Sequence, residues 1–155
     1  MYDTIYINFT GGDKVKEFGK MLGWISFWGY GVALLNFFMK YINKKYINKL
    51  PKDKKSYSDF YRMVMKYVVK YHKMAGIIAS IAVLGHLYLM YMTKGLSIPG
   101  LTALIVMIVV ALLGIYGFFI NRNMRGHWLK IHRILSFILI ALILFHILFK
   151  KFLII

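Results

Sequence analysis

No cysteine occurs in the 155 residues, so disulfides, iron–sulfur clusters and thiolate metal sites are all excluded. Carboxylates are scarce too, five against 21 Lys and Arg, which leaves few oxygen ligands for a metal. The two prolines, Pro51 and Pro99, fall at joints between apolar segments. Charge is missing altogether from residues 21–39, 74–93, 96–121 and 134–149.

What is present is apolar. Hydrophobic residues make up 60% of the chain and aromatic residues 17%, whereas soluble domains hold roughly 45–50% apolar residues. An integral membrane protein is therefore expected. A helix needs about 20 apolar residues to cross the hydrocarbon layer, and the first three uncharged segments qualify by length. The fourth is lengthened by residues 128–131 and the tail 152–155, with Lys150 and Lys151 able to snorkel to the headgroups. The fold expected is an all-α, four-helix transmembrane bundle in one domain over 1–155. Its helices should cover about 20–42, 57–93, 98–121 and 127–153, with an N-terminal arm at 1–18 and a cytoplasmic linker at 43–56. Asp3, Asp13 and Glu17 interrupt the first 20 residues, so no cleavable signal peptide is expected and the first span should direct insertion.

A net charge of +16 raises the question of nucleic acid, but its distribution opposes that reading. Of the 21 basic residues, 15 fall within 40–73 and 122–133. With four spans these regions share a side, and the positive-inside rule makes it the cytoplasm. The charge thus reads as topology and contact with anionic lipid. A multi-pass protein of the plasma membrane follows, with basic loops inside, both termini outside and no nucleic-acid partner.

Along the chain, Gly11-Gly12 is a turn signal in the polar arm. The stretch "NKKYINKLPKDKKSYSDF" reads as an exposed linker. Ser56, Ser58 and Asp59 are candidate N-caps for the second helix, whose first turns, "YRMVMKYVVKY", are amphipathic and aromatic. Ser97 and Pro99 should open the third helix, and "NRNMRG" should close it. Sliding the chain by 60 residues lays "HKMAGIIASIAVLGHLYL" over "HRILSFILIALILFHILF". Both histidines superpose, a basic residue follows each first histidine, and Gly76 meets Ser136. The second and fourth helices repeat one design.

In each repeat the histidines stand fourteen apart, His72 with His86 and His132 with His146. Fourteen steps of 100° return a side chain to within about 40° of its starting face after a rise of roughly 21 Å, and closer still in a left-handed bundle. One span separates the two helices, so they run parallel. His72 then lies level with His132 on the inner side, and His86 with His146 on the outer. Ionisable groups at such depth are costly and usually functional. A small metal ion wants three or four clustered ligands, which the sequence does not supply. A flat haem between the second and fourth helices is a better answer, since it takes one imidazole on each face and hides its body among Leu, Ile and Phe. Gly76, Ala82, Gly85 and Ser136 should leave room for the ring. The competing reading is four core histidines, each hydrogen-bonded to a backbone carbonyl.

Haem propionates are anionic, and Lys73, Arg122, Arg125, Lys130 and Arg133 stand at the depth to pair with them on the inner side. Topology and lipid phosphate would account for the same cations. Lys20, Lys94 and Lys150 are the outer candidates. His127, beside Trp128, reads as interfacial, with electron entry or a propionate contact as the other reading.

"YHKMAGI" with "GHLY", and "WLKIHRIL" with "FHILF", resemble the paired-histidine helices of the ferric reductase and NADPH oxidase transmembrane core, and more distantly the diheme cytochromes b. The resemblance covers roughly residues 68–150. It implies two haem b groups (iron protoporphyrin IX) with His72, His86, His132 and His146 as iron ligands. Unlike full-length ferric reductases, this chain carries four helices and no flavin and nicotinamide domain. The function expected is transmembrane electron transfer from a cytoplasmic flavoprotein or ferredoxin-type donor to an external acceptor, as an electron-transfer cytochrome or reductase component. A quinol-linked oxidoreductase or cytochrome b anchor subunit, exchanging electrons with a quinone, is the alternative. A small membrane scaffold or transporter accessory protein is the non-redox one.

Overall fold

Hydrocarbon offers backbone amides no hydrogen-bond partner, so apolar segments of this length close their bonds internally as helices. The computed structural model describes residues 10–120 and 126–149. Four α-helices run in order: α1 (Thr10–Lys45), α2 (Lys55–Lys94), α3 (Ile98–Phe119) and α4 (His127–Phe149). Each is long and apolar enough to cross a membrane. The expectation of an all-helical chain with four spans stands at that level.

Element ends differ from the sequence reading in instructive ways. α1 begins at Thr10, so Gly11-Gly12 makes no turn and the arm is helical from residue 10 on. Glycine costs a helix interior about 1 kcal/mol, but Asp13 favours the positive N-terminal end, and Lys16–Asp13 and Lys20–Glu17 pairs brace the first turns. The linker is shorter than 43–56 and holds two single 3₁₀ turns, Ile47–Lys49 and Lys52–Lys54. None of Ser56, Ser58 and Asp59 caps α2, which starts at Lys55. Ser58 Oγ instead donates to the Lys55 carbonyl at 2.9 Å, within the helix.

α2 ends where Gly95 adopts φ 82° and its N–H bonds the Tyr91 carbonyl; a residue with Cβ would be strained there. Ser97 follows in an extended conformation, and Pro99 sits in the first turn of α3, as expected. The segment "NRNMRG" lies mostly outside the described residues, as does 150–153.

The helices pair as two hairpins. α1 packs along α2, and α3 along α4, while backbone approach between the hairpins is much sparser, chiefly of α2 with α3. Side chains fill the space between them: Tyr30 of α1, Ala79 of α2, Ala103, Met107 and Val110 of α3, and Leu139 of α4 form one buried cluster. The Tyr30 hydroxyl donates to the Ser136 carbonyl on α4, and Phe37 and Phe38 meet Phe137 edge-on. At about 1.5 Å per residue, α1 and α2 reach roughly 54 and 60 Å, against 33–35 Å for α3 and α4. The first hairpin therefore projects well beyond the second at its 45–55 end.

Candidate functional site: two facing histidine stripes

Ala79 lies seven residues from both His72 and His86, and Leu139 seven from both His132 and His146. Seven residues fall within about 20° of two full turns, so each apolar residue shares a stripe with its two histidines. Ala79 is 1% exposed and Leu139 fully buried, in the same cluster. The α2 and α4 stripes therefore face each other across the core, with histidines above and below an apolar midpoint.

Of the two layers expected from the spacing, the one expected to be outer brings its rings together: His86 and His146 are 6.3 Å apart between centres, at 80° to one another. Metal–imidazole bonds of about 2.0–2.1 Å, with each ring centre about 1.1 Å beyond its nitrogen, place two ligands on opposite faces of one ion with centres about 6 Å apart. In the layer expected to be inner, His72 and His132 each stand seven residues from Ala79 and Leu139 of the shared core. Among the described residues no three His, Asp or Glu side chains gather to hold a small metal ion. The donor set comes in pairs, and a pair suits a metal whose remaining ligands come from a macrocycle.

Each ring is steered by its own hairpin. His72 Nδ1 lies 2.8 Å from the Ala33 carbonyl, His86 Nδ1 2.8 Å from that of Gly19, and His132 Nδ1 3.1 Å from that of Val110. A carbonyl only accepts, so Nδ1 carries the proton in these three and Nε2 presents its lone pair. That is the tautomer and second hydrogen bond that fix histidine ligands generally. His146 Nδ1 meets the Ser97 hydroxyl at 3.3 Å; the residue expected only to open α3 also orients a histidine.

The partner helices carry a matching ladder that the sequence reading missed. On α1, Gly19, Ser26 and Ala33 stand seven apart and oppose His86, Ala79 and His72; Ser26 Oγ donates to the Ala79 carbonyl at 3.0 Å. On α3, Gly100 and Gly114 stand fourteen apart with buried Met107 between. A Cβ at Gly100 would come within 2.9 Å of the His146 ring, and one at Gly114 within 3.7 Å of His132; one at Gly23 would reach 2.9 Å from His86. Small residues let these rings lie flat against a neighbouring backbone. Gly19/Ala33 and Gly100/Gly114 repeat the histidine spacing, and that recurrence is the signal that could have found them.

The residues expected to leave room for a ring divide. A Cβ at Gly76, one turn from His72 toward the core, would meet nothing within 4 Å, so open space adjoins the inner layer. Gly85 instead makes way for Leu22 of α1, whose Cδ1 lies 2.9 Å from where its Cβ would stand. Ala82 is buried, one turn from His86 and about 40° around the helix from it. Ser136 folds its hydroxyl back onto the His132 carbonyl at 2.7 Å.

Two predicted cations border the inner layer and rest on aromatic faces. Lys73 Nζ is 3.4 Å from the Phe118 ring centre, and the Arg133 guanidinium 5.8 Å from that of Phe37. Lys40, which the sequence reading passed over, stands seven residues beyond Ala33, whose carbonyl meets His72 Nδ1. The described carboxylates stand elsewhere, Asp13 and Glu17 early in α1, Asp53 and Asp59 around the start of α2. This layer is thus suited to an anionic group. Lys130 and His127 are exposed at the start of α4, Lys20 pairs with Glu17, and Lys94 makes contacts of its own. Arg122, Arg125 and Lys150 lie outside the described residues.

Fold and site together define a helical chain with four candidate membrane spans and two pairs of half-buried histidines. No family model, curated protein or solved structure matches the chain.

Proposed function

We propose that this chain carries electrons across a membrane through two b-type haems, an inner one on His72 and His132 and an outer one on His86 and His146. The observation that carries the reading is the outer pair, whose ring centres stand 6.3 Å apart while Nδ1 of each ring is engaged within its own hairpin. Core histidines satisfied by carbonyls would need only the second of these features. The resemblance of residues 68–150 to the ferric reductase and NADPH oxidase core supports the same reading, with electron-transfer cytochrome as the class.

Bound between the stripes, a haem supplies one-electron oxidation and reduction of its iron. The chain's own part would be to hold each group between two histidines, His72 with His132 and His86 with His146, an arrangement that would suit outer-sphere electron transfer. Ala79 and Leu139 keep the midpoint apolar. Gly76 leaves space beside the inner ligand, and Lys73 and Arg133 would pair with anionic groups of the cofactor. The basic side faces the cytoplasm and receives electrons from a flavoprotein or ferredoxin-type donor. The outer layer delivers them to an external acceptor, and the termini lie outside the plasma membrane. A pyridine haemochrome assay on the purified full chain should return two haems per polypeptide; a colourless protein after expression with ample haem would end the proposal.

A further inference from the structure

The shorter hairpin places the midplane of the bilayer. α3 and α4, roughly 33–35 Å long, match a hydrocarbon layer of about 30 Å, and Met107 and Leu139 of the buried cluster stand near their middles. Ala79 belongs to the same cluster and Ser26 bonds its carbonyl, so all four helices are tied to that level. At about 1.5 Å per residue, Lys45 stands about 28 Å from it along α1 and Lys55 about 36 Å along α2. A bilayer with headgroups extends about 20–22 Å from its centre, and a tilt of about 20° still leaves Lys55 about 34 Å away. The 3₁₀ turn Lys52–Lys54 leads directly into α2 and shares this far end.

The tip of the first hairpin is strongly cationic. Between residues 44 and 55, Lys44, Lys45, Lys49, Lys52, Lys54 and Lys55 accompany a single carboxylate, Asp53. All six lysines are exposed, and none joins an ion pair among the described residues. The next acid, Asp59, faces Arg62 at 3.9 Å. The lysines are displayed on a folded cap: Ile47 is 5% exposed, and the Leu50 and Lys54 N–H groups close turns onto the Ile47 and Pro51 carbonyls.

Two ordinary explanations fall short. The positive-inside rule fixes the sign of a loop, not how far past the headgroups the loop is carried. Attraction to anionic lipid falls off within a Debye length, about 8 Å at physiological salt, whereas Lys52, Lys54 and Lys55 stand about 12–14 Å past the headgroups. Clustered like charges also repel one another, and an acidic partner relieves that repulsion. All six are lysines; phosphate groups are matched best by the planar arginine fork, while a lysine cluster acts as a field that steers and holds an acidic protein. Tyr46, 55% exposed among them, adds an aromatic contact of the kind that anchors protein interfaces.

We infer that the hairpin tip, centred on Lys52, Lys54 and Lys55, docks an acidic soluble protein in the aqueous phase on that side of the membrane. Docking at the tip needs no haem and stands apart from the redox reading.

The test uses the full chain in zwitterionic nanodiscs, a plant-type [2Fe–2S] ferredoxin as acidic probe and cytochrome c as a basic protein of similar size. Ferredoxin should bind, more weakly as salt rises, and cytochrome c should not. Lys52→Glu with Lys54→Glu and Lys55→Glu should weaken ferredoxin binding about tenfold or more, whereas Lys→Arg at the same three positions should preserve it. No binding of ferredoxin, or equal binding by the Glu variant, would overturn the inference. An oligo-dT strand that binds as tightly as ferredoxin would overturn it in favour of nucleic acid. Because the chain has no cysteine, a bimane attached through Lys54→Cys reports what lies over the tip. Its fluorescence should escape quenching by headgroup spin-labelled lipid in zwitterionic and in anionic discs alike. Quenching in anionic discs would lay the tip on its own membrane and end the proposal.

Discussion

The outer and inner histidine layers are built from the same parts yet differ in what surrounds them. In the first, His86 leans on the backbone at Gly19 and Gly23, while His146 leans on Gly100 and meets a serine hydroxyl. In the second, both Nδ1 protons go to backbone carbonyls, and Lys73 and Arg133, each next in sequence to a histidine, rest on aromatic faces. The outer layer is shaped mainly by close approach of backbones, the inner one by charge and by the open space at Gly76. A repeated design need not give two equivalent sites, and the difference offers separate handles on each.

The strongest way to separate the layers is to remove ligands. Replacing His86 or His146 by Ala should cut haem from two per chain to one and leave the inner spectrum intact, and His72→Ala or His132→Ala should do the converse. Full haem content in all four variants, read by haemochrome, would break the assignment. Next in size, Gly100→Val pushes a side chain into the His146 ring, where even Cβ would come within 2.9 Å. It should lower outer occupancy below half, while the same change at Gly31, which faces open space, should leave occupancy unchanged.

A smaller effect is expected from Ser97→Ala, which removes the partner of His146 Nδ1. Losing that hydrogen bond makes the imidazole a weaker donor, so the outer haem's midpoint potential should rise by tens of millivolts in a redox titration, with the inner one unmoved. Smallest of all, Tyr30→Phe deletes the hydrogen bond to the Ser136 carbonyl. Buried interhelical bonds of this kind average about 0.6 kcal/mol in membranes, so unfolding in mixed micelles should shift by about that amount with both haems retained.

Much of this was legible before any coordinates. Uncharged segments marked four spans, and two histidine pairs at fourteen residues announced stripes that the helices do bring face to face around Ala79 and Leu139. The ends of α1 were not legible, because Gly11-Gly12 carries the same local signal whether it breaks a chain in water or passes through a helix braced by neighbouring charges. The competing reading of the histidines names backbone carbonyls as their partners, but which carbonyls was not legible. Three are carbonyl oxygens of Gly19, Ala33 and Val110, and a carbonyl is common to every residue, so no side chain advertises it. Their positions follow only once antiparallel pairing sets α1 against α2 and α3 against α4. Gly85 misled for a related reason: adjacency in sequence to His86 puts it 100° away around the helix, facing α1.

Each paired histidine is steadied by the segment immediately before its own helix, α1 for those on α2, and α3 with its N-cap Ser97 for those on α4. As the chain emerges from the ribosome, the first hairpin can therefore finish its half of the site while the second is still unmade. Assembly then reduces to bringing together two prepared half-shells, so an error late in synthesis spoils only one of them.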